Sequence, residues 1–390
     1  MPITYPYIQY GGIWTASQAT DAVASGTWPV PPPPKYSIYS WGQNNYGQLG
    51  LSNTLGYYSS PKQVGALTNW SSGSIGFYHT ASIKTDGTLW SWGRNNNGQL
   101  GLGNTTNYSS PKQVGALTNW SSVTCGSYFT VATKTDGTLW AWGQNYYGNL
   151  GSGNTTYYSS PKQVGALTTW LSVACGGYST VSIKTDGTLW SWGYNTRGQL
   201  GLNNTTNYSS PKQVGLLTNW SSVACGDFQT IVIKTDGTLW AWGWNNYGGL
   251  GLGNTSQYNS PKQVGALTNW LSVASGGYYG FTTATKTDGT LWAWGYNNYG
   301  QLGLGNTTNT SSPQQVGSLA NWLSIACGKY FTSSIKTDGT LWSWGANYVG
   351  QLGLGNTTGY SSPKQVGALT AWNKLFKNGH SAFNVAITLT

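Results

Sequence analysis

A segment containing a Trp-Gly pair recurs seven times along the chain at an almost constant spacing. One copy reads Thr-Leu-Trp-Ala-Trp-Gly over residues 138–143, and successive pairs lie 51, 50, 50, 50, 52 and 50 residues apart. The Trp residues of these pairs are Trp41, Trp92, Trp142, Trp192, Trp242, Trp294 and Trp344. A fixed period of this length is typical of solenoids and propellers, in which each repeat contacts its neighbours. The 390 residues are therefore expected to form one repetitive body.

Each repeat has the pattern of four short β-strands. In the copy over residues 110–143 they read Ser-Pro-Lys-Gln-Val-Gly, Trp-Ser-Ser-Val-Thr-Cys-Gly, Tyr-Phe-Thr-Val-Ala-Thr-Lys and Thr-Leu-Trp-Ala-Trp-Gly. The Thr-Asp-Gly at 135–137 predicts a tight hairpin between the third and fourth strands. In the fourth strand Leu139 and Ala141 face one side and the two Trp face the other. This alternation favours a sheet packed on both faces, as in the blade of a propeller.

The two ends of the chain carry incomplete repeats. Residues 37–42 have the sequence of the fourth strand alone, whereas residues 383–390 have that of the third. In the latter, Val385 and Ile387 occupy the places of Val and Ile in other repeats. Pairing of the N-terminal strand 37–42 with the C-terminal strands would complete one sheet and remove an exposed edge. The sequence therefore predicts an all-β, seven-bladed propeller of four-stranded blades.

The repeat resembles that of the RCC1 (regulator of chromosome condensation) family. The shared motif is Trp-Gly-x-Asn-x-x-Gly-Gln-Leu-Gly, preceded by Cys-Gly, an aromatic strand and Asp-Gly; residues 92–101 match it, and the resemblance extends over residues 36–390. It implies a seven-bladed propeller but no single activity. The constant spacing leaves no room for the inserted wedge of guanine-nucleotide exchange members. Ultraviolet-sensing members carry Gly-Trp-Arg-His-Thr where residues 126–130 read Gly-Ser-Tyr-Phe-Thr, so neither role is expected.

Residues 1–34 lack the repeat and are predicted to be a docking segment preceding a propeller of residues 35–390. Thr-Ala-Ser-Gln at 15–18 has the pattern of a capping box and predicts a short helix to about Ala24. Four prolines at 31–34 favour an extended linker. A flexible leader without a partner is the alternative, but the aromatic content favours docking to another structural protein. The aromatic residues of this segment are Tyr5, Tyr7, Tyr10, Trp14 and Trp28.

The net charge of +10 arises mostly from two lysines per repeat. Because these lysines are spread evenly through the repeats, we interpret them as a solubilising ring and consider a nucleic-acid partner unlikely. One set follows Ser-Pro (Lys62, Lys112, Lys162, Lys212, Lys262 and Lys364), and the other precedes Thr-Asp-Gly (Lys84, Lys134, Lys184, Lys234, Lys286 and Lys336).

Cysteines occupy one position in four of the repeats, at Cys125, Cys175, Cys225 and Cys327. Their spacing predicts neither a disulfide nor a zinc site, and we interpret them as buried free thiols. No apolar run approaches the length needed to cross a membrane, so no membrane association is predicted.

Titratable residues are too few and too scattered to predict an enzyme. The chain has no Glu, and its eight Asp include Asp21, six in Asp-Gly turns and Asp227, which is outside the pattern. His79 and His380 could lie in adjacent blades after ring closure, but no acid is predicted beside them. We therefore predict no catalytic residue, no metal site and no cofactor.

Two sets of positions vary while the surrounding repeat stays constant, which predicts surface loops whose side chains the fold does not fix. The first set follows the Trp-Gly pair and is predicted to form a binding rim: Tyr46, Arg94, Tyr147, Tyr194, Arg197, Trp244, Tyr247, Tyr296 and Tyr299. The second set follows Cys-Gly and is predicted to form a second patch: Tyr128, Tyr178, Phe228, Tyr278 and Tyr330. Aromatic rings beside Asn and Gln suit sugars, and neutral variation on a solvated rim is the alternative.

The near-identical repeats and the aromatic, Pro-ended leader are similar to those of RCC1-like proteins of tailed phages. On this basis we hypothesise a non-enzymatic virion or appendage protein, made in the host cytoplasm, whose propeller binds a surface polysaccharide or a protein ligand. An intracellular, cytoplasmic protein–protein scaffold is the alternative.

Overall fold

The computed structural model describes residues 8–9, 12–13, 17, 20–21, 24–25, 34–376 and 380–389. The chain divides into two compact units, Met1–Lys35 and Tyr36–Thr390. In the first unit, β1 (Ile8–Gln9) pairs with β2 (Gly12–Ile13), and the described residues of the predicted helix, such as Asp21, are helical. The five aromatic residues predicted for docking and most of the proline run lie outside the described residues.

The second unit consists of seven four-stranded antiparallel sheets, as predicted. Blade 7 joins both ends of the chain and contains β3 (Tyr36–Gln43), β4 (Tyr57–Gln63), β29 (Trp372–Leu375) and β30 (Phe383–Leu389). Blades 1 to 3 contain β5 (Trp70–Ile75), β6 (His79–Lys84), β7 (Leu89–Gly93), β8 (Tyr108–Gln113); β9 (Trp120–Cys125), β10 (Phe129–Lys134), β11 (Leu139–Gly143), β12 (Tyr158–Gln163); β13 (Trp170–Cys175), β14 (Ser179–Lys184), β15 (Leu189–Gly193) and β16 (Tyr208–Gln213).

Blades 4 to 6 repeat the same arrangement. They contain β17 (Trp220–Cys225), β18 (Gln229–Lys234), β19 (Leu239–Gly243), β20 (Tyr258–Gln263); β21 (Trp270–Gly276), β22 (Phe281–Lys286), β23 (Leu291–Gly295), β24 (Thr310–Gln315); β25 (Trp322–Cys327), β26 (Phe331–Lys336), β27 (Leu341–Gly345) and β28 (Tyr360–Gln365). We call the four strands of a blade a, b, c and d, from the strand that lines the central channel to the outermost strand. No helix among the described residues is long and apolar enough to cross a membrane.

The blade boundary differs from the repeat unit that the sequence suggested. The Ser-Pro-Lys-Gln strand, interpreted as the first strand of a unit, is strand d of the preceding blade; β8, for example, pairs with β7 rather than with β9. The hydrogen-bonded pairing of strands sets this boundary. The long loop after Trp-Gly reverses the direction of the chain, so the Ser-Pro-Lys-Gln strand pairs antiparallel with strand c of the same blade.

The ring closes as the sequence predicted. Strand β30 pairs with β3 in register from Tyr36 opposite Leu389 to Gly42 opposite Phe383, and the sheet order of blade 7 is β29-β30-β3-β4. Val385 is fully buried in this sheet. Neither β3 nor β30 is therefore left as an unpaired edge.

The Thr-Asp-Gly hairpin between strands b and c is also confirmed. In blade 2 the Asp136 carboxylate accepts hydrogen bonds from the backbone N–H and the hydroxyl of Thr138, at 3.0 and 2.6 Å. Gly137 has a φ of +77°, and an added Cβ would lie 2.0 Å from the carbonyl oxygen of Thr168. Glycine is therefore required at this turn.

Tryptophan residues of strand c seal the interfaces between blades. Trp142 is fully buried, and its indole N–H donates a 3.0 Å hydrogen bond to the Gln99 carbonyl of the preceding blade. On the other face of the strand, Leu139 and Ala141 pack in one cluster with Trp192 of the following blade. The predicted two-sided packing is confirmed, and each blade shares its core with both neighbours.

One of the two lysine sets does not form a solubilising ring. Lys134 is only 8% exposed, and its Nζ lies 3.8 Å from the ring centroid of Trp140 and 5.0 Å from that of Trp120. The other lysines that precede Thr-Asp-Gly pack in the same way. Burial lowers the pKa of the Lys134 amine, and the nearby Asp136 opposes this effect. The interpretation of these lysines as solubilising is wrong, because their spacing in the sequence does not show that each amine lies over aromatic rings.

Candidate functional site

The two variable patches of the sequence form one surface. Because the strands are antiparallel, the loop from a to b and the loop from c to d leave the sheet at the same edge. Tyr147 of one c–d loop lies 5.4 Å from Tyr178 of the next blade's a–b loop, and Tyr299 lies 4.8 Å from Tyr330 in the same relation (centroid distances). We call the surface formed by the a–b and c–d loops the aromatic face.

Ring contacts continue from blade to blade across this face. The pairs are Tyr46–Tyr78, Phe77–Tyr128, Tyr128–Tyr178, Tyr147–Tyr194, Tyr194–Phe228, Phe228–Trp244, Phe228–Tyr278, Trp244–Tyr247, Tyr247–Tyr279, Tyr279–Tyr296 and Tyr296–Tyr330. Most of these rings are half-buried, whereas Tyr278 and Tyr299 are exposed. Mutual packing holds the rings in place and leaves part of each available to a ligand.

One residue of the predicted binding rim is buried. Tyr296 is only 7% exposed, so this predicted rim residue supports its neighbours instead of lining the surface. Phe129 and Phe331, which also vary after Cys-Gly, are fully buried in the core. Side chains alternate along a strand, and these two residues begin strand b with their rings facing inward.

Residues of the face that sequence reasoning missed include Phe77, Tyr78 and Lys329. Phe77 and Tyr78 follow Ile75-Gly76 in the one complete repeat without Cys or Ser before this Gly. Aligning Gly76 with Gly126 would have found both. Lys329 stands beside Tyr330 in the sixth repeat, and its Nζ lies 5.5 Å from the Phe77 ring and 5.4 Å from the Tyr330 ring.

The charges on the face are mostly positive. The Arg94 guanidinium carbon lies 4.9 Å from the Tyr46 ring, 5.7 Å from the Tyr78 ring and 5.4 Å from the Tyr128 ring. Exposed Arg197 lies 5.9 Å from the Trp244 ring.

Asp227, the acid outside the repeat pattern, meets His380 instead of standing alone. Its Oδ1 lies 2.5 Å from His380 Nδ1. This contact joins the a–b loop of blade 4 to that of blade 7. The sequence suggested a pair between His380 and His79 with no acid beside them, whereas the partner of His380 is Asp227. Residues in blades 4 and 7 are far apart in the chain, so no local sequence pattern signals this contact.

The inner strands enclose a cavity of about 250 Å³ on the axis of the ring. Its lining includes Cys125, Cys175 and His380. All four cysteines are buried thiols that form no disulfide, as predicted. Burial raises the pKa of Cys125 to about 12, so its thiol stays protonated and is a poor metal ligand or nucleophile. Among the described residues, no three His, Cys, Asp or Glu side chains are grouped to hold a metal ion.

Two hydroxyls of the face, those of Tyr178 and Tyr330, remain protonated at neutral pH. The pKa of Tyr178 is raised to about 12, first by burial and then by the nearby Tyr128 and Asp227. Burial also raises the pKa of Tyr330. These side chains therefore offer hydrogen-bond donors and aromatic surface, which suit recognition more than acid–base chemistry.

His79 is a buried structural residue. Its side chain is fully buried, and its Nε2 lies 3.0 Å from the Thr130 hydroxyl of the next blade. Burial lowers its pKa to about 3, against a smaller opposing effect of the Phe129 backbone. The ring is therefore neutral at physiological pH.

We expect His79 to make the protein sensitive to acid. The unfolded chain takes up a proton near pH 6.5, whereas the folded chain takes it up near pH 3, so stability falls as pH decreases between these values. One proton contributes a slope of about 1.4 kcal/mol per pH unit. Phe129 occupies the position equivalent to His79 in the next blade, so His79→Phe is compatible with the fold. The substitution should reduce the loss of unfolding free energy between pH 6.5 and 4 by about 3 kcal/mol. Urea unfolding at both pH values measures this, and an unchanged pH dependence in His79→Phe would contradict it.

A known family of repeats matches most of this chain. The sequence profile described as "Regulator of chromosome condensation (RCC1) repeat" matches residues 37–83, 86–133, 136–183, 186–233, 236–282, 288–335 and 338–374. A second profile with the same description matches six segments between residues 70 and 351.

Similar folds occur in solved structures. Human WBSCR16 superposes with a TM-score of 0.81 at 22% identity, covering 91% of this chain and 99% of that one. Prp20p of Saccharomyces cerevisiae superposes with a TM-score of 0.79 at 17% identity, covering 92% of each chain. At these identities the similarity shows the fold alone.

Curated relatives match over short segments. The probable E3 ubiquitin-protein ligase HERC6 of Homo sapiens is 35% identical over 71 residues, which are 18% of this chain and 7% of the relative. The ultraviolet-B receptor UVR8 of Arabidopsis thaliana is 40% identical over 70 residues, 17% of this chain and 16% of the relative. The matches thus cover a small part of these relatives. The profile matches, repeated in all seven units, show that the chain belongs to the RCC1 repeat family.

Proposed function

We propose that the chain is a non-enzymatic binding protein that holds a glycan on the aromatic face. The observation that carries this proposal is the convergence of both variable patches into one layer of packed, partly accessible aromatic rings. Ligand-binding residues of many proteins lie on loops that vary in sequence while a rigid scaffold holds them in place.

The chemistry of the face suits sugars. Aromatic rings stack on the C–H faces of a pyranose, and amides bond to its hydroxyls. Exposed Asn residues stand among the rings of the c–d loops, at Asn45, Asn96, Asn246 and Asn298. The Tyr178 and Tyr330 hydroxyls remain protonated donors, which adds further partners for sugar hydroxyls.

A protein ligand is the second candidate, because Tyr, Trp and Arg also dominate the hot spots of protein interfaces. The solved structure of Prp20p is described together with its binding to Gsp1p and histones, which makes it a propeller with protein partners. In that case the chain would act as an intracellular scaffold, and a glycan array would show no binding.

We also propose that residues 1–34 dock the propeller to another structural protein, and that the assembly is a phage virion or appendage. The aromatic leader, its proline run and the near-identity of the repeats support this proposal. Quantitative mass spectrometry of purified particles tests it. Particle association lost on deletion of residues 1–34 would support docking, and absence of the chain from particles would contradict the virion role.

Substitutions on the face should weaken glycan binding without unfolding the protein. Tyr278 and Tyr299 are 48% and 44% exposed, so Tyr278→Ser combined with Tyr299→Ser removes ring surface at little cost to the core. We expect about a tenfold or larger loss of affinity for an array-positive glycan, as for central aromatic residues of other interfaces. Surface plasmon resonance measures this effect.

Leu117 provides the matched control. It is 49% exposed in the connection between strands d and a, at the edge of the propeller opposite the aromatic face. Leu117→Ser should leave the affinity within about twofold of the unsubstituted chain, because surface changes away from a site are usually close to neutral. Equal losses in both variants would contradict the assignment of the site to the aromatic face.

A further inference from the structure

Arg94 is the one cation at its position among the seven repeats. The equivalent residues are Gln43, Gln144, Tyr194, Trp244, Tyr296 and Ala346. Arg94 lies in the c–d loop of blade 1, between Tyr46 of blade 7 and Tyr128 of blade 2. Three Tyr rings surround its guanidinium, so the side chain is held in one place before a ligand arrives.

No carboxylate neutralises Arg94 within the described residues. Asp227 lies on the same face but contacts His380, with its Oδ1 2.5 Å from His380 Nδ1. Six of the other Asp residues lie in the Asp-Gly turns between strands b and c, at the opposite edge of the propeller, and Asp21 precedes the propeller. The Arg94 Nε atom is buried and has no hydrogen-bond partner in the described part of the chain.

Aromatic rings stabilise a guanidinium through its faces, and a side-chain hydrogen bond also joins Arg94 to Tyr128. Arg has five N–H donors arranged in a plane, and a carboxylate accepts two of them in parallel. Lys329 adds a second cation nearby, since its Nζ lies over Phe77, whose ring contacts that of Tyr128. The local field at this part of the face therefore favours an anion.

We propose that Arg94 binds the carboxylate of an acidic sugar residue, a uronic or sialic acid, within the glycan held by the aromatic face. This proposal rests on the proposed function and names the class of its ligand. The sugar ring packs against Tyr78 or Tyr128 while its carboxylate forms paired hydrogen bonds with the guanidinium. The other six equivalent positions are uncharged, so neutral sugar residues of the same glycan can occupy the rest of the face.

A glycan array with matched acidic and neutral members tests this proposal on the full chain. Each uronic-acid or sialic-acid glycan is printed beside its carboxyl-reduced product, together with unrelated neutral polysaccharides. We expect binding to at least one acidic glycan and at least about tenfold weaker binding to its reduced form, which is the discrimination that one charge-assisted contact provides.

The variant Arg94→Gln should reduce binding to the acidic glycan by about the same factor and leave binding to the reduced form unchanged. Gln144 occupies the equivalent position in blade 2, so this substitution is compatible with the fold. Lys112→Gln is the matched control, because Lys112 lies in outer strand d of blade 1, away from the aromatic face, and is an exposed cation over a single ring, while Gln314 occupies its equivalent position in another repeat. It should change binding by less than about twofold.

The possible outcomes separate this inference from the proposed function. Equal binding to acidic and reduced glycans, binding to neutral glycans only, or an Arg94→Gln variant with full selectivity for the acid would overturn the role of Arg94 and leave glycan binding intact. Binding to no glycan, with capture of a protein ligand by the same face, would overturn both.

Discussion

Deletion of residues 377–390 should abolish the closed propeller and yield an aggregating chain. The deletion removes β30, which pairs with β3 along its length and with β29 on its other side. Phe383, Val385 and Ile387 are buried in this strand, and their lost burial alone costs about 5–9 kcal/mol. This cost is comparable to the whole stability of a typical domain. The exposed edges of β3 and β29 would also pair with other chains.

Size-exclusion chromatography with light scattering and thermal unfolding by circular dichroism measure this outcome. A chain lacking residues 1–33, which precede β3, is the control and should remain monomeric with an unchanged midpoint of unfolding. A monomeric 377–390 deletion that unfolds at the temperature of the full chain would show that the ring does not depend on closure by these strands.

Trp142→Ala should produce the largest loss of stability of any single substitution considered. Trp142 is fully buried, its ring makes an edge contact with Trp120 at 6.0 Å, and its N–H donates to the Gln99 carbonyl. Replacement leaves a cavity between two blades and removes one of the two hydrogen bonds that the Gln99 carbonyl accepts, the other coming from the Thr130 hydroxyl. We expect the free energy of unfolding to fall by about 3–5 kcal/mol. Urea unfolding at neutral pH measures this difference.

Trp140→Ala provides the comparison within the same strand. Trp140 is half-buried; its ring lies against the Lys134 amine, and its indole N–H donates a 2.9 Å hydrogen bond to the Thr138 hydroxyl near the surface. Its removal should cost less than half as much as that of Trp142, since cation–π contacts near the surface contribute about 0.5–2 kcal/mol. Similar losses for the two variants would contradict the assignment of Trp142 to the core between blades.

The sequence predicted the fold because its determinants are local and repeated. Thr-Asp-Gly turns, alternating side chains in strand c and Trp-Gly pairs occur in register, so each copy supports the assignment of the others. Closure by the chain ends followed from the incomplete repeats at 37–42 and 383–390. The blade boundary was not predictable in this way, because it depends on which neighbour the strand containing Ser-Pro-Lys-Gln pairs with.

The candidate site was predictable only in part. Variation within a constant repeat identified Tyr147 and Tyr178 as members of two separate patches, and ring geometry joins them across one blade interface. Alternation along strand b explains why Phe129 faces the core. The contact between Asp227 and His380 arises where blades converge around the axis, and no local pattern encodes it.

The aromatic face combines a rigid frame with interchangeable contacts. At six junctions among the described residues, a side chain of one c–d loop contacts a side chain of the next blade's a–b loop, as Tyr247 contacts Tyr279, so these positions of the face are built at junctions between two blades. A substitution in one loop can therefore alter one junction while the hydrogen-bonded blades stay unchanged. This arrangement allows one scaffold to present different ligand preferences around its ring.

Hydrogen–deuterium exchange with and without an array-positive glycan tests the binding face most directly. We predict protection of the a–b loops, such as residues 126–129, and of the c–d loops, such as residues 93–101, upon addition of the glycan. The turns between strands b and c, such as 135–137, should exchange at the same rate in both states. Protection confined to those turns, or to the connections between strands d and a, would show that the ligand binds the opposite edge and would contradict the account.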